Sequence, residues 1–567
     1  MASTYKHGTY AYIGDSAAQS ASSTGTVAVY VGLAPVNLVK GYKDKNVVNY
    51  PTKLSNYSHA QKTVGYSSDW DKFTLCEAIG AHFDNKLGNI GPIYVINVLD
   101  PEIHRKSTIT TKTLNFVNGK SEFISDTIIL ETVAIAEKIQ DVDFSVDYNF
   151  TTGKVIISSM GSETLQGNIQ VSFYEIDTSG INEDTIIGGV TGNGEYSGIG
   201  ALPLVYDKLG LIPNLLSALK YNENKKVYNS MITAIQSIND QWDAFAVADL
   251  PLTGEAETET DIYEYVGDVT GTFYTSEAIK IGITAFSNRL LSNPIGEITA
   301  VDTGAKTVTI DSGNSETLTD NGTVKKTVAT TIDTIEEAIT WKTNNAYDSE
   351  RTKAFWPQAY DASTERIFHL STLGIVEFMR ADNEHKNIPC ETCSNKEIPC
   401  TSQYFGEGVQ NQGYGRAEAN NLNEKGISTC FSDGGTMKLW GGHTAKYQYG
   451  SDDDPRCIFD TYMRTLMHCE NGFQKRQGKK IDKPFNVQLR DAIINEEQNE
   501  LDNMVALGAL IGEPKILFLA TENSTTDMMQ GDFKFDLPVT TTPQFKSGTA
   551  EVSYTDEGLS SLTEGGE

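Results

Sequence analysis

The sequence predicts a multidomain α/β (α+β) protein, an α/β core that carries β-rich insertion domains and extended N- and C-terminal arms. Three observations carry this. All-apolar runs such as "TVAVYVGLAP" and "GPIYVINVLD" flank a helical apolar period, the pattern of parallel strands covered on both faces. Long stretches rich in Thr, Ile and Val, punctuated by Asn-Gly and Thr-Gly, separate the core segments. At 567 residues the chain is too long for one hydrophobic core.

Residues 1–25 are polar, with Tyr10 and Tyr12 as their apolar pattern, and read as an N-terminal arm. Residues 26–102 are the first part of the core. A strand at 27–31 ends at Gly32 and Pro35, a helix over 71–83 puts Leu75, Ile79 and Phe83 on one face, and a second strand follows at 93–99. Residues 103–180 predict a β-rich insertion with turns at Asn118-Gly119 and Thr152-Gly153. Residues 181–295 return to α/β, with a helix near 225–238, a buried strand in "DAFAVADLP" and a helix from Glu277. Residues 296–330, where Val308 and Ile310 alternate with threonines, predict a β-hairpin insertion.

The C-terminal core, 331–545, holds helices near 370–383, 416–425, 455–474 and 488–510. It closes on "DFKFDLPV", where Phe533, Phe535, Leu537 and Val539 share a strand face. Residues 546–567 form a C-terminal arm: a second strand with Ala550, Val552 and Tyr554 on one face, then a polar tail. Ordering a strand costs roughly 1–2 kcal/mol of backbone entropy per residue. That strand therefore needs a sheet edge, in its own chain or a neighbour's. The N-terminal arm raises the same possibility.

The balance of 75 acidic and 45 basic residues, net −30, argues against a general nucleic-acid surface. The densest basic cluster, Lys475, Arg476, Lys479 and Lys480, lacks interleaved aromatics and reads as a solvated helix end. The longest apolar run, 504–511, is short of a membrane span and broken by glycine. The N-terminus lacks a basic region followed by an apolar one, so folding in a cytoplasm is expected. Seven cysteines, an odd number, make a disulfide framework unexpected.

Candidate chemistry is sparse. Cys390 and Cys393 form a CxxC with Cys400 and His385 nearby, but no second CxxC completes a zinc knuckle, and ordinary loop cysteines are the preferred reading. "GGVTGNGEYSGIG" lacks the strand a dinucleotide fingerprint needs before its first glycine, and "TGAKTVT" lacks a phosphate loop's leading glycine. Neither G-x-S-x-G nor H-E-x-x-H occurs. The remaining suspect is His443 in "MKLWGGHTAKY". Catalysis there needs a nucleophile or carboxylate within hydrogen-bond reach, and the sequence nominates none. Trp440, Gly441, Gly442, His443 and Thr444 are read as a core strand and turn.

Taken in order, the motifs resemble those of the contractile tail sheath proteins of bacteriophages and related injection machines. "HGTYAYIGDS" is similar to that family's N-terminal "hGvY" arm, and "TVAVYVGLAP" to its first core strand. "NYPTKLSNYSHAQKTVGYSSDWDKFTLCEAIGAHFDN" resembles the succession that ends in "aiFdN", and "GIGALPLVYDKLGLIPNLL" with "DAFAVADLP" its middle core. "DSERTKAFWPQ", "GIVEFMRADNEHKNIPCETCSNKEI" and "NEKGISTCFSDGGTMKLWGGHT" resemble three segments of its last third. Two departures stand out: His443 replaces the arginine of W-G-x-R-T, and a cysteine-bearing segment replaces the "w.aPAn" loop.

The resemblance implies a structural subunit. Copies stack as rings around an inner tail tube, exchange strands through terminal arms (Tyr10, Tyr12, Ala550, Val552 and Tyr554 here), and contract to drive the tube through the host envelope. The implied partners are copies of itself in a ring-stacked helical homo-oligomer, the inner tail tube protein, and baseplate and tail terminator proteins. Nucleic acid and direct membrane insertion are not implied, and neither are a cofactor, a metal or catalytic residues. The implied location is the contractile tail of a virion assembled in the host bacterial cytoplasm. The alternatives are a sheath-like component of a tailocin-type particle, another tail or baseplate protein, or, from a different class, a hydrolase built on His443.

Overall fold

The computed structural model describes residues 22–562 apart from 161–163, 410–412 and 452–453; over residues 253–331 it describes the strand backbones but not most of the connections between them. The described chain divides into two compact units, one of Met1–Asp249, Tyr347–Gln403 and Tyr414–Glu567, the other of Leu250–Ala346 and Tyr404–Gly413.

The first unit is built on one eight-stranded sheet. In chain order its strands are β1 Ala28–Gly32, β2 Thr52–Leu54, β3 Ile93–Asn97, β4 Leu215–Ser217, β5 Phe245–Asp249, β6 Thr352–Phe355, β7 Ile427–Asp433 and β8 Thr436–Trp440. Across the sheet they run β8-β7-β6-β5-β4-β1-β3-β2. Every neighbouring pair from β7 to β3 is parallel, and β8 and β2 close the two edges antiparallel. The parallel strands are apolar along their length because both faces are covered, so β1, β3 and β5 are buried at every residue. The apolar runs read as a parallel pair, β1 and β3, are adjacent in the register Val29 to Tyr94 through Gly32 to Asn97.

Helix α1, Leu75–Phe83, is buried throughout. Helix α2, Lys225–Ala234, starts where the Asn224 side chain accepts a hydrogen bond from the Lys226 amide, the usual device for an unpaired first-turn donor. Helix α3, Leu370–Glu384, crosses the sheet at Gly374, where a Cβ would stand 2.7 Å from the Phe355 ring. Helices α4 Arg416–Asn423, α5 Asp460–Gln477 and α6 Val487–Ala506 complete the last third.

Between β3 and β4 the chain makes two three-stranded antiparallel sheets. One is Lys120–Ile124, Lys154–Ser159 and Phe144–Asn149; the other is Thr110–Phe116, Gly167–Phe173 and Ala134–Ile135. Alternate residues, Leu114 and Phe116, Val146, Val155 and Ile157, Val171 and Phe173, point into their own apolar core. The Asn118-Gly119 turn has φ of 52° and 78°, the left-handed geometry that selects this residue pair.

In the second unit, Thr253–Glu257 pairs antiparallel with Thr327–Thr331, and six further strands close into a barrel. Pro294–Asp302 and Thr307–Asp311 pair antiparallel within it. This unit begins at Leu250, well before the boundary at 296 expected from alternation. Its strands Tyr263–Gly267 and Thr272–Thr275 precede the Val308 and Ile310 pattern and carry a weaker one of their own. The helix expected from Glu277 lies outside the described residues.

The strand expectations at the C-terminus require correction. "DFKFDLPV" makes one isolated bridge, Asp536 to Leu517, and residues 548–555 enter no pairing among the described residues. Both have strand periodicity, but no edge of the described sheets is taken up by them.

Candidate functional site: the glycine turn and the chain ends

The WGGHT turn is fixed from beneath by a buried lysine. Lys353, on β6 and fully buried, sends its Nζ to the Gly441 carbonyl at 2.6 Å, the His443 carbonyl at 3.4 Å and the Asp460 carboxylate at 2.6 Å. Asp460 also accepts from Thr392 Oγ1 at 2.8 Å, and its backbone amide donates to the Gly442 carbonyl at 3.1 Å. Gly441 takes φ of +127°, and a Cβ there would lie 2.4 Å from Asn423 Oδ1. Trp440 is half-buried, edge-on to Phe431 at 5.2 Å and under the Arg416 guanidinium. The Thr444 hydroxyl donates to the Cys457 carbonyl.

His443 is 5% exposed and lies flat between two rings, 3.7 Å from Tyr447 and 5.0 Å from Phe459. Its Nδ1 is 2.9 Å from the Ile458 carbonyl, so the proton sits on that nitrogen and donates. Burial, reinforced by the nearby positive charges of Lys546 and Lys353, lowers its pKa to about 4. A neutral, stacked, hydrogen-bonded imidazole is built to pack. Lys353 went unremarked in the sequence, although a lysine inside an otherwise apolar parallel strand, "TKAF", is a visible signal.

The cysteine segment is packed into the first unit. Cys393 is fully buried and Cys400 is 8% exposed, while Cys390 is half-buried beside Leu501 and Met504. Burial pushes the Cys390 thiol up to about 11 and Cys393 to about 12. His385 turns its Nδ1 to the Ala381 carbonyl at 2.9 Å. Among the described residues, no group of three or more metal-ligating side chains is placed to hold an ion.

Tyr10 and Tyr12 lie outside the described residues. The incoming chain is held from Ser22 onward: Ser22–Ser23 lies parallel to Ile90–Gly91, the Thr24 amide donates to the Gly91 carbonyl, and the Gly25 amide donates to Asn387 Oδ1 at 2.6 Å. Thr26 Oγ1 then reaches Asp382 Oδ2 at 2.8 Å.

The opposite end leaves the body beside the glycine turn. Gln544 Nε2 donates to the Cys390 carbonyl at 3.0 Å and to Thr461 Oγ1 at 3.1 Å, and Lys546 Nζ donates to the Tyr447 hydroxyl at 3.3 Å. Beyond this anchor Ala550 is exposed, Val552 is 93% exposed and Tyr554 88%, and the nearby Phe545 is 89% exposed. Three sequence-nominated residues thus share one free segment, and the five residues of the glycine turn sit close to its root.

The fold is a parallel α/β core, antiparallel at both edges, with β-rich modules and anchored terminal segments. It matches, with a TM-score of 0.50 and 13% identity, a chain of the anti-feeding prophage baseplate determined by electron cryomicroscopy, over 97% of this chain and 99% of that one. The contracted sheath complex of an extracellular contractile injection system gives 0.46 and 10% identity over 98% and 100%. In sequence, the chain is 21% identical to the tail sheath protein of Burkholderia phage BcepMu over 95% of its length and 98% of that protein. No family model matches. The chain is thus similar to a tail sheath protein over 95% of its length, in keeping with the resemblance of its ordered motifs.

Proposed function

We propose that this chain is the structural subunit of a contractile tail sheath, polymerising around an inner tube and contracting to drive it forward. The carrying observation is the segment 548–555, which has a strand's alternation, exposes that apolar face, and enters no strand pairing among the described residues. A neighbour's sheet edge supplies the missing partner by strand addition, and the N-terminal arm acts in the same way through Tyr10 and Tyr12. Strand exchange keeps subunits linked while their bodies move, and contraction draws its work from surface buried and charges paired between copies. The role is mechanical rather than enzymatic, with the tube, baseplate and terminator proteins as partners in a phage or phage-related tail. The modules at 103–180 and 250–346 serve as insertions outside the polymerising core.

The purified protein is expected to form long hollow cylinders in negative-stain microscopy. Removing residues 547–567 is expected to leave folded, unassembled subunits with an unchanged melting transition. Normal cylinders from the truncated protein would refute strand donation. Loss of a hydrolytic activity on His443→Ala would refute the mechanical role.

A further inference from the structure

In a chain of net charge −30, the end of α5 is an anomaly: "KRQGKKIDK", 475–483, sets five basic residues against one carboxylate, Asp482. Two of the five are satisfied within the fold, Arg476 by Glu497 at 2.7 Å and Lys480 by Glu496 at 2.5 Å. Lys475, Lys479 and Lys483 are exposed and carry no ion pair among the described residues. Lys475 lies in the last helical turn, where the helix dipole favours a cation. Lys479 and Lys483 lie past the helix end at Gln477, so capping does not account for them.

The complementary charge is in the same polypeptide. Residues 547–567 contain Glu551, Asp556, Glu557, Glu564 and Glu567 and no Lys or Arg. Within its own subunit this tail departs near Thr461, at the first turn of α5. The lysines stand at the far end of that 18-residue helix, about 27 Å away at 1.5 Å per residue. Pairing of 548–555 with another subunit would carry the acidic residues onto that subunit.

We propose that Lys475, Lys479 and Lys483 receive the acidic tail of a second copy of this chain, forming an electrostatic clasp that follows the exchanged strand. This rests on the assembly reading above. It adds a determinant of register: charge pairing penalises any alignment that brings the tail against the acidic remainder of the surface.

The test uses two full-length variants. One is Lys475→Glu/Lys479→Glu/Lys483→Glu; the other is Glu551→Lys/Asp556→Lys/Glu557→Lys. Each alone is expected to raise the concentration needed for assembly by about tenfold or more, given three exposed pairs turned repulsive. An equimolar mixture should recover assembly, because each variant then offers a charge-matched partner to the other. Melting curves identify a variant that has failed to fold; neutral Gln substitutions at the same positions then replace it and should give a smaller rise in the same direction. Assembly of either variant at wild-type concentration, or a mixture no better than its parts, overturns the proposal.

The wild-type protein run alongside tests the sheath reading separately. If it stays monomeric, a labelled peptide of residues 547–567 provides the readout. Binding that weakens with salt and is lost in the lysine variant upholds the clasp, and absent or equal binding overturns it. A lysine variant that binds the peptide normally but fails to bind added tube protein assigns the cluster to the tube and also overturns it.

Discussion

Replacing Lys353 by methionine keeps the length of the side chain and removes a fully buried cation from beside Asp460. Asp460, also fully buried, is left with the Thr392 hydroxyl as its side-chain partner; the His443 carbonyl loses the lysine donor, and the Gly441 carbonyl keeps Ser428 Oγ at 3.3 Å. Breaking a buried pair from one side costs about 3–5 kcal/mol. The orphaned His443 carbonyl adds about 1 kcal/mol. At about 2–4 °C per kcal/mol for a large domain, the melting transition should fall by roughly 8–24 °C at pH 7. Lys353→Met/Asp460→Asn, which removes the stranded charge, should recover most of the loss. Thermal scans of the single and double variants at pH 7 are the assay. A single variant within about 2 °C of wild type, or a double variant no better than the single, would refute the claim that this pair anchors the turn.

Gly441→Ala places a Cβ 2.4 Å from Asn423 Oδ1 at φ of +127°, so a loss of more than about 2 kcal/mol is expected, read as a lower melting temperature with assembly impaired in proportion. His443 has a folded pKa depressed from 6.5 to about 4, so its contribution is complete above the unfolded value and is lost as pH falls through that window, amounting to about 2 kcal/mol at pH 5. His443→Phe keeps the stack without the titration, and its stability should therefore change less than wild type between pH 7 and pH 5; an identical pH dependence in the two proteins would count against the assignment. Val552→Asp, on a side chain 93% exposed, should leave the melting transition unmoved while abolishing cylinders, since its apolar contact exists only with a neighbour.

The core was legible where burial imposes a local pattern. The runs at β1, β3 and β5 could be placed from composition alone because strands covered on both faces have little choice but Val, Ile, Ala and Phe. The helix over 370–383 was legible for the same reason. The second unit was not delimited, because its barrel strands are Thr-rich and short, and only Val308 and Ile310 alternate strongly enough to be read. At the turn, "WGG" announced a bend but not what holds it. The cation beneath comes from a strand about 90 positions earlier, and long-range pairing leaves no periodic trace. The tail was the converse case: its periodicity was plain, and what it lacks is an edge within the subunit.

The order of strands across the central sheet has a consequence for how the subunit is made. Read from the β2 edge, the sheet is β2-β3-β1-β4-β5-β6-β7-β8, so after the first three strands each later one adds to the outside of what the ribosome has already delivered. The sheet can therefore grow vectorially during synthesis, one rim at a time, with each module folding in the pause between additions. Until β8 arrives, every intermediate presents an open rim of unpaired backbone. β8 turns back antiparallel, and its outer side is met by the segment around Asn395 to Ile398, through Asn395 N to Leu439 O and Ile398 N to Met437 O. The acidic tail follows more than a hundred residues later, as 440 and 547 differ by 107. The nascent subunit has thus sealed its own rim before it carries the strand it would lend, a timing that keeps half-made chains out of the polymer.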